Sequence, residues 1–162
     1  MTDEYYMGLA LKEAKKSLDS GDIPIGAVVV LDGKVISKAC NTREKSQQAI
    51  GHAEINAITK ANKKIGRYRL DGGVIYVTKE PCLMCMGAIL SARLSRIVYG
   101  MKDIRFGTEE LAKDNKFNHK CDITGGVLEE ECSALVSQFF KTLRGNNENR
   151  RKTTNITKEE RK

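Results

Sequence analysis

Two short clusters carry the residues best suited to chemistry: His52-Ala53-Glu54, and Cys82-Leu83-Met84-Cys85 thirty positions later. Each is weak alone, because a lone helical histidine more often packs or faces solvent, and one Cys-x-x-Cys could be half of a structural zinc site or a redox pair. Together they say more. Two cysteines three apart share a helix face and can reach one ion, and His52 makes a third ligand. Three protein ligands are a catalytic count for zinc, since the fourth tetrahedral position is left for water, and thiolate with imidazole suits zinc among the divalent ions. Glu54 is then placed to reach that water without being a ligand. His119 is the only other histidine, and Cys40, Cys121 and Cys132 stand singly, so these three cysteines are expected to pack as small hydrophobes.

The elements that must position these residues can be read from the pattern. Asp3 to Ser20 is an amphipathic helix with Met7, Ala10, Leu11, Ala14 and Leu18 on one face, Thr2 as its cap and Gly21 as its stop. Ile25 to Leu31 and Val35 to Cys40 flank Asp32-Gly33, which supplies the positive backbone angles of a tight hairpin. Asn41 to Gly51 reads as loop, His52 to Asn62 as a helix closed by Gly66, Val74 to Thr78 as a strand, and Cys82 to Ala92 as a helix with Pro81 in its first turn. Both chemical clusters therefore sit where the chain enters a helix, and the backbone N–H groups there favour thiolates. Arg96 to Tyr99 is a strand. Gly100 to Asn118 is a polar loop with room for a short helix at Glu109 to Ala112, Cys121 to Thr124 is a last strand, and Leu128 to Leu143 is a helix with Leu135, Val136, Phe139 and Phe140 facing inward. Strands alternating with helices predict an α/β sandwich around a covered sheet.

Composition sets the frame. A chain of 162 residues, 40% hydrophobic and 30% charged, has the length of one domain with a core. Of the net charge of +7, residues 144 to 162 contribute +4, seven Lys/Arg against three Glu. A single folded domain over 1–144 and a basic, flexible tail over 145–162 are expected, the tail either solvated or facing a polyanion. Met1 to Leu18 has no signal-peptide character, and no apolar run reaches membrane-spanning length, so a cytoplasmic protein without a membrane is expected and disulfides are not.

The combination His-x-Glu with a later Pro-Cys-x-x-Cys resembles the cytidine-deaminase-like zinc deaminases. Within them the chain is most similar to the bacterial adenosine deaminases acting on tRNA, through Ile23-Pro24-Ile25-Gly26-Ala27-Val28, Asn41, Gly51-His52-Ala53-Glu54-Ile55, Tyr76 to Ala88, Val98-Tyr99-Gly100, Phe117-Asn118-His119 and Phe139-Phe140. The resemblance implies a three-layer α/β/α sandwich with a five-stranded mixed sheet, a homodimer, and one Zn2+ per chain on His52, Cys82 and Cys85. It implies an anticodon stem-loop as substrate, with wobble adenosine converted to inosine. In that reaction water activated by zinc attacks C6 while Glu54 takes its proton, delivers one to N1 and helps ammonia leave. Asn41 and Ala53 would hold the flipped base and Asp103 the sugar-phosphate backbone. The loop after Asp103 departs from the family pattern: it is short and carries Glu109-Glu110, a pair that would repel phosphate.

Two other readings share these residues. The same zinc chemistry could act on a free base or nucleoside of the guanine or cytosine type. A zinc-stabilised RNA-binding subunit without activity would have no need of Glu54. Phe139-Phe140 could stack on a base, although helical spacing predicts at least one of them in the core. His119 either orders the loop near the RNA or is a surface histidine without special duty, and Lys102 and Arg105 either contact phosphates or belong to a solvated loop face.

Overall fold

The computed structural model describes residues 1–113 and 118–159; Phe117, Arg161 and Lys162 lie outside the described residues. In chain order the elements are α1 (Asp3–Lys15) running into a 3₁₀ turn (Lys16–Ser20), β1 (Gly26–Leu31), β2 (Lys34–Cys40), α2 (Arg43–Ser46), α3 (Ala53–Ile65), β3 (Val74–Lys79), α4 (Leu83–Ser91), β4 (Arg96–Met101), α5 (Glu109–Lys113), β5 (Asp122–Thr124) and α6 (Glu129–Glu159). The strands form one sheet in the order β2-β1-β3-β4-β5. The β1 strand is antiparallel to both β2 and β3, whereas β3, β4 and β5 are mutually parallel.

Alternation along the strands fills both faces. Ala27, Val29, Ile75, Val77, Ile97 and Tyr99 point to one side, where Ala57 and Ala61 of α3 and Met86, Ile89 and Leu90 of α4 cover them. Val28, Val30, Tyr76 and Val98 point to the other, under Tyr6, Met7 and Ala10 of α1 and Cys132 of α6. That is the three-layer sandwich, and each such buried aliphatic side chain contributes roughly 1.5–3 kcal/mol. Helix α1 lies so close to the start of β1 that a Cβ on Gly26 would collide with the carbonyl oxygen of Ala10, so glycine is required there. The hairpin forms as the sequence predicts, with Asp32 at φ 51° and Gly33 at φ 71° joining Leu31 to Lys34. Thr2 caps α1 by accepting the N–H of Tyr5 at 3.2 Å.

Several boundaries differ from the sequence reading. The first helix tightens after Lys15 and ends in left-handed Gly21, which leaves Leu18 41% exposed rather than inward. The expected loop 41–51 contains one helical turn, α2, because the buried carboxylate of Asp22 accepts the N–H groups of Glu44 and Lys45 and so caps it from outside. Pro81 precedes the helix rather than sitting in its first turn, since Cys82 is the N-cap with extended backbone. Helix α6 runs unbroken past position 144 to Glu159, so the described part of the basic segment is helical. Val136 is buried, but Phe140 is 37% exposed and neither phenylalanine belongs to the core. Of the single cysteines, Cys132 is buried and Cys121 packs against the first core, whereas Cys40 is only half-buried, beside a cleft. No described helix is long and apolar enough to cross a membrane.

Candidate active site

Strand directions gather the site at one edge of the sheet. Gly26 opens β1 opposite Cys40 at the end of β2, and Lys79 at the end of β3 pairs with Met101 at the end of β4. Segments leaving these ends, Asn41 after β2, Glu80 to Cys82 after β3 and Asp103 after β4, meet in one place, as ligand-binding residues do at the carboxyl ends of parallel strands. Helices α3 and α4 start there too. His52 and Cys82 are their N-caps, with ψ of 152° and 175°, so each side chain is delivered by an extended residue immediately ahead of a helix.

His52 Nδ1 lies 3.6 Å from Cys82 Sγ and 3.5 Å from Cys85 Sγ, and the three ligand atoms fall within 4.8 Å of one another. Cys85 is fully buried, while Cys82 and His52 are half-buried toward the cleft. The Cys85 S–H bonded to Cys82, and then His52, pull the Cys82 thiol down to about 4, whereas that same bond, and then burial, push Cys85 up. The hydrogen bond to Cys82 likewise raises the His52 pKa. An imidazole nitrogen and two sulfurs at such separations are a donor set that fits a tetrahedral divalent ion of zinc's softness, whose binding requires both sulfurs as thiolates.

Glu54 is 5% exposed, in the first turn of α3, and burial raises its pKa. It lines a cleft of about 570 Å³ together with Asn41, Arg43, His52, Ala53, Cys82, Asp103, Arg105, Phe106 and Phe140. Every candidate site residue except fully buried Cys85 therefore lines this one cleft. Asn41 is held by both ends of its amide: Nδ2 donates to the Ile23 carbonyl at 3.2 Å and Oδ1 accepts the Arg43 N–H at 3.1 Å. Each end keeps further hydrogen-bonding capacity.

Glu80 is the residue that the sequence reading missed. Its buried carboxylate accepts the N–H of Asp103 and, through its other oxygen, the N–H of Glu109, both at 3.2 Å, and a Cβ on Gly107 would strike it. Asp103 in turn accepts the N–H groups of Arg105 and Phe106 at 3.0 Å and pairs with Lys79 at 3.2 Å. A charged residue immediately before Pro-Cys, deep in an apolar strand-to-helix turn, was the available signal. One lysine meets the acidic pair of the short loop, offsetting one of its two charges. Glu109 accepts the Tyr99 hydroxyl at 2.6 Å, and Lys113 reaches Glu109 at 3.1 Å and Glu110 at 3.5 Å. His119 contacts the Leu94 carbonyl through Nε2 at 2.6 Å, and Lys102 and Arg105 are exposed.

A family model described as MafB19-like deaminase matches residues 1–144. Over 146 residues the chain is 45% identical to the tRNA-specific adenosine deaminase of Bacillus subtilis (strain 168), an overlap spanning 88% of this chain and 91% of that one. A solved structure from work on A-to-I editing by tRNA:A34 deaminases superposes with a TM-score of 0.78 at 38% identity, covering 81% of this chain and 98% of the other. A solved guanine deaminase from Bacillus subtilis follows at 35% identity and a TM-score of 0.61, over 70% of this chain and 76% of the other. With a family model matching residues 1–144 and 45% identity over 91% of the first of these relatives, the chain belongs to the MafB19-like deaminase family and to the tRNA-specific adenosine deaminases.

Proposed function

We propose that this protein hydrolyses the 6-amino group of adenosine at the wobble position of a tRNA anticodon, giving inosine and ammonia. The observation that carries the reading is the buried carboxylate of Glu54 lining one cleft with His52 and Cys82, two of the three clustered donors His52, Cys82 and Cys85. Likeness to tRNA-specific adenosine deaminases supplies the substrate. His52, Cys82 and Cys85 hold one Zn2+ per chain, and bound zinc supplies the Lewis acidity that makes water a nucleophile at neutral pH. Glu54 accepts the proton of the attacking water, passes it to N1 of adenine and assists departure of the amine, as a buried carboxylate of raised pKa is suited to do. Asn41 and the Ala53 backbone orient the flipped base, and Asp103, fixed by Glu80, meets the ribose-phosphate chain. The catalytic unit spans 1–144, with 145–162 a basic extension toward RNA; the protein works as a homodimer in the cytoplasm.

Incubation with an anticodon stem-loop bearing wobble adenosine, followed by nucleoside analysis, tests this. Inosine and one equivalent of ammonia are expected. Absence of inosine from a folded, zinc-loaded sample overturns the assignment. The guanine deaminase likeness favours a second reading, a free base as substrate; ammonia released from guanine but not from the stem-loop would establish it.

A further inference from the structure

Behind the catalytic cleft lies a second one of about 500 Å³, with Asn41 in the wall of both. Helix α2 separates them, since Arg43 lines the catalytic side and Lys45, two residues on, lines the other. We infer that this second cleft receives the phosphodiester backbone of the RNA strand whose base enters the catalytic cleft, an inference that rests on the proposed substrate.

The argument comes from the contrast between the two linings. The catalytic cleft has Ile23, Ile25, Phe106 and Phe140 for the apolar faces of bases. The second cleft has no aromatic or large aliphatic side chain, and instead Lys16, Lys45 and Lys60 with the hydroxyls of Thr42 and Thr59; the Ser20 hydroxyl, also in its wall, is bonded to Asp22. That is a surface of donors suited to phosphate oxygens and unsuited to bases. The three lysines come from three separate elements, the 3₁₀ turn, α2 and α3, so the cationic surface is not one helix's solvated face. One acid lies among them: buried Glu13, bonded to Lys16 Nζ at 2.7 Å, which leaves an excess of two positive charges. Asp22, beneath α2 and outside the lining, accepts the Ser20 hydroxyl and the N–H groups of Glu44 and Lys45, neutral donors that leave its charge in place, so counting Asp22 the local excess is one positive charge. Lys60 Nζ is steadied by the Lys38 carbonyl at 3.2 Å, and Lys45 has no ion pair among the described residues. A strand passing over Asn41 thus moves from a cleft that accepts a base to one that accepts its backbone.

The test is a salt titration of the Kd for a labelled anticodon stem-loop, measured by fluorescence anisotropy on the full chain, beside KM and kcat for inosine formation. Lys16 is retained because it neutralises buried Glu13. The double variant Lys45→Gln/Lys60→Gln should lower the slope of log K against log salt by about 1.4, two contacts to a single strand at about 0.7 each. KM should rise several-fold with kcat unchanged, and Lys45→Arg/Lys60→Arg should restore both slope and KM. An unchanged slope and KM in the Gln variant overturn the inference while leaving the deaminase reading intact. A lowered slope without inosine from the wild type would keep the RNA surface and overturn the substrate assignment instead.

Discussion

The backbone N–H of Asp103 donates to one oxygen of the Glu80 carboxylate at 3.2 Å, while the other oxygen takes the N–H of Glu109, so one buried side chain holds both ends of the loop that walls the cleft. Replacing Glu80 with Gln keeps the shape but turns one acceptor into a donor facing an N–H. The expected result is a loss of roughly 1–3 kcal/mol in unfolding free energy and a rise in KM for the stem-loop, with kcat much less affected because Glu54 and the metal-binding group are untouched. Steady-state kinetics alongside a denaturant melt check this, and a variant with wild-type KM would show that the loop does not depend on Glu80.

Glu54→Gln isolates proton transfer from metal binding. Gln fills the same buried volume, cannot accept the proton of water, and removes a charge that burial disfavours. Turnover should fall by about 10² to 10⁴ or more. Zinc content and melting temperature should be maintained. Elemental analysis with single-turnover kinetics decides it, and near-normal turnover would remove Glu54 from the chemistry.

Cys85 is the fully buried member of the donor group, 3.5 Å from His52 Nδ1. Native protein should carry one zinc per chain, and loading the stripped protein at free zinc of about 1,000 times Kd should stabilise the fold by about 4 kcal/mol. Cys85→Ala should lose that zinc-dependent rise in melting temperature together with the stoichiometric metal. Full zinc occupancy in the alanine variant would mean that the ion sits elsewhere.

How far the sequence disclosed this molecule depended on whether the information was local. The hairpin at Asp32-Gly33, the stop at Gly66 and the cap at Thr2 each rest on backbone preferences of one or two residues, and each was legible. The grouping of His52, Cys82 and Cys85 was legible because metal chemistry restricts residue type and spacing so tightly. Helix α2 was not, since its cap comes from Asp22, twenty-two positions before Glu44. Nor was Glu80, whose role exists only once the loop after β4 folds back onto the end of β3. Phe140 was placed inward by helical spacing, but α6 turns it to the cleft while Val136, from the same stripe, is buried. Periodicity identifies a face without saying what it meets.

Asp3, in the first turn of α1, receives two hydrogen bonds from the Arg96 guanidinium at 2.9 and 2.7 Å and a third from the Tyr76 hydroxyl at 3.0 Å, which ties the covering helix to β4 and β3. The Arg96 bonds, against the opposing effect of burial, hold the Asp3 carboxyl below its ordinary value. A carboxyl with a depressed folded pKa binds fewer protons than the same group in the unfolded chain, so its contribution is complete above the ordinary carboxylate range near 4 and disappears as pH falls through the folded value. With Asp3 about a quarter exposed, at 27%, solvent screening keeps the contribution to about 1 kcal/mol, or roughly 2–4 °C in melting temperature for a domain of this size. Asp3→Asn should therefore melt about 2–4 °C below the wild type at pH 7, with the gap closing as pH falls below about 4. Melting curves from pH 3 to 7 test it, and a gap that persists unchanged at pH 3 would assign the loss to packing at the start of α1 rather than to the ion pair.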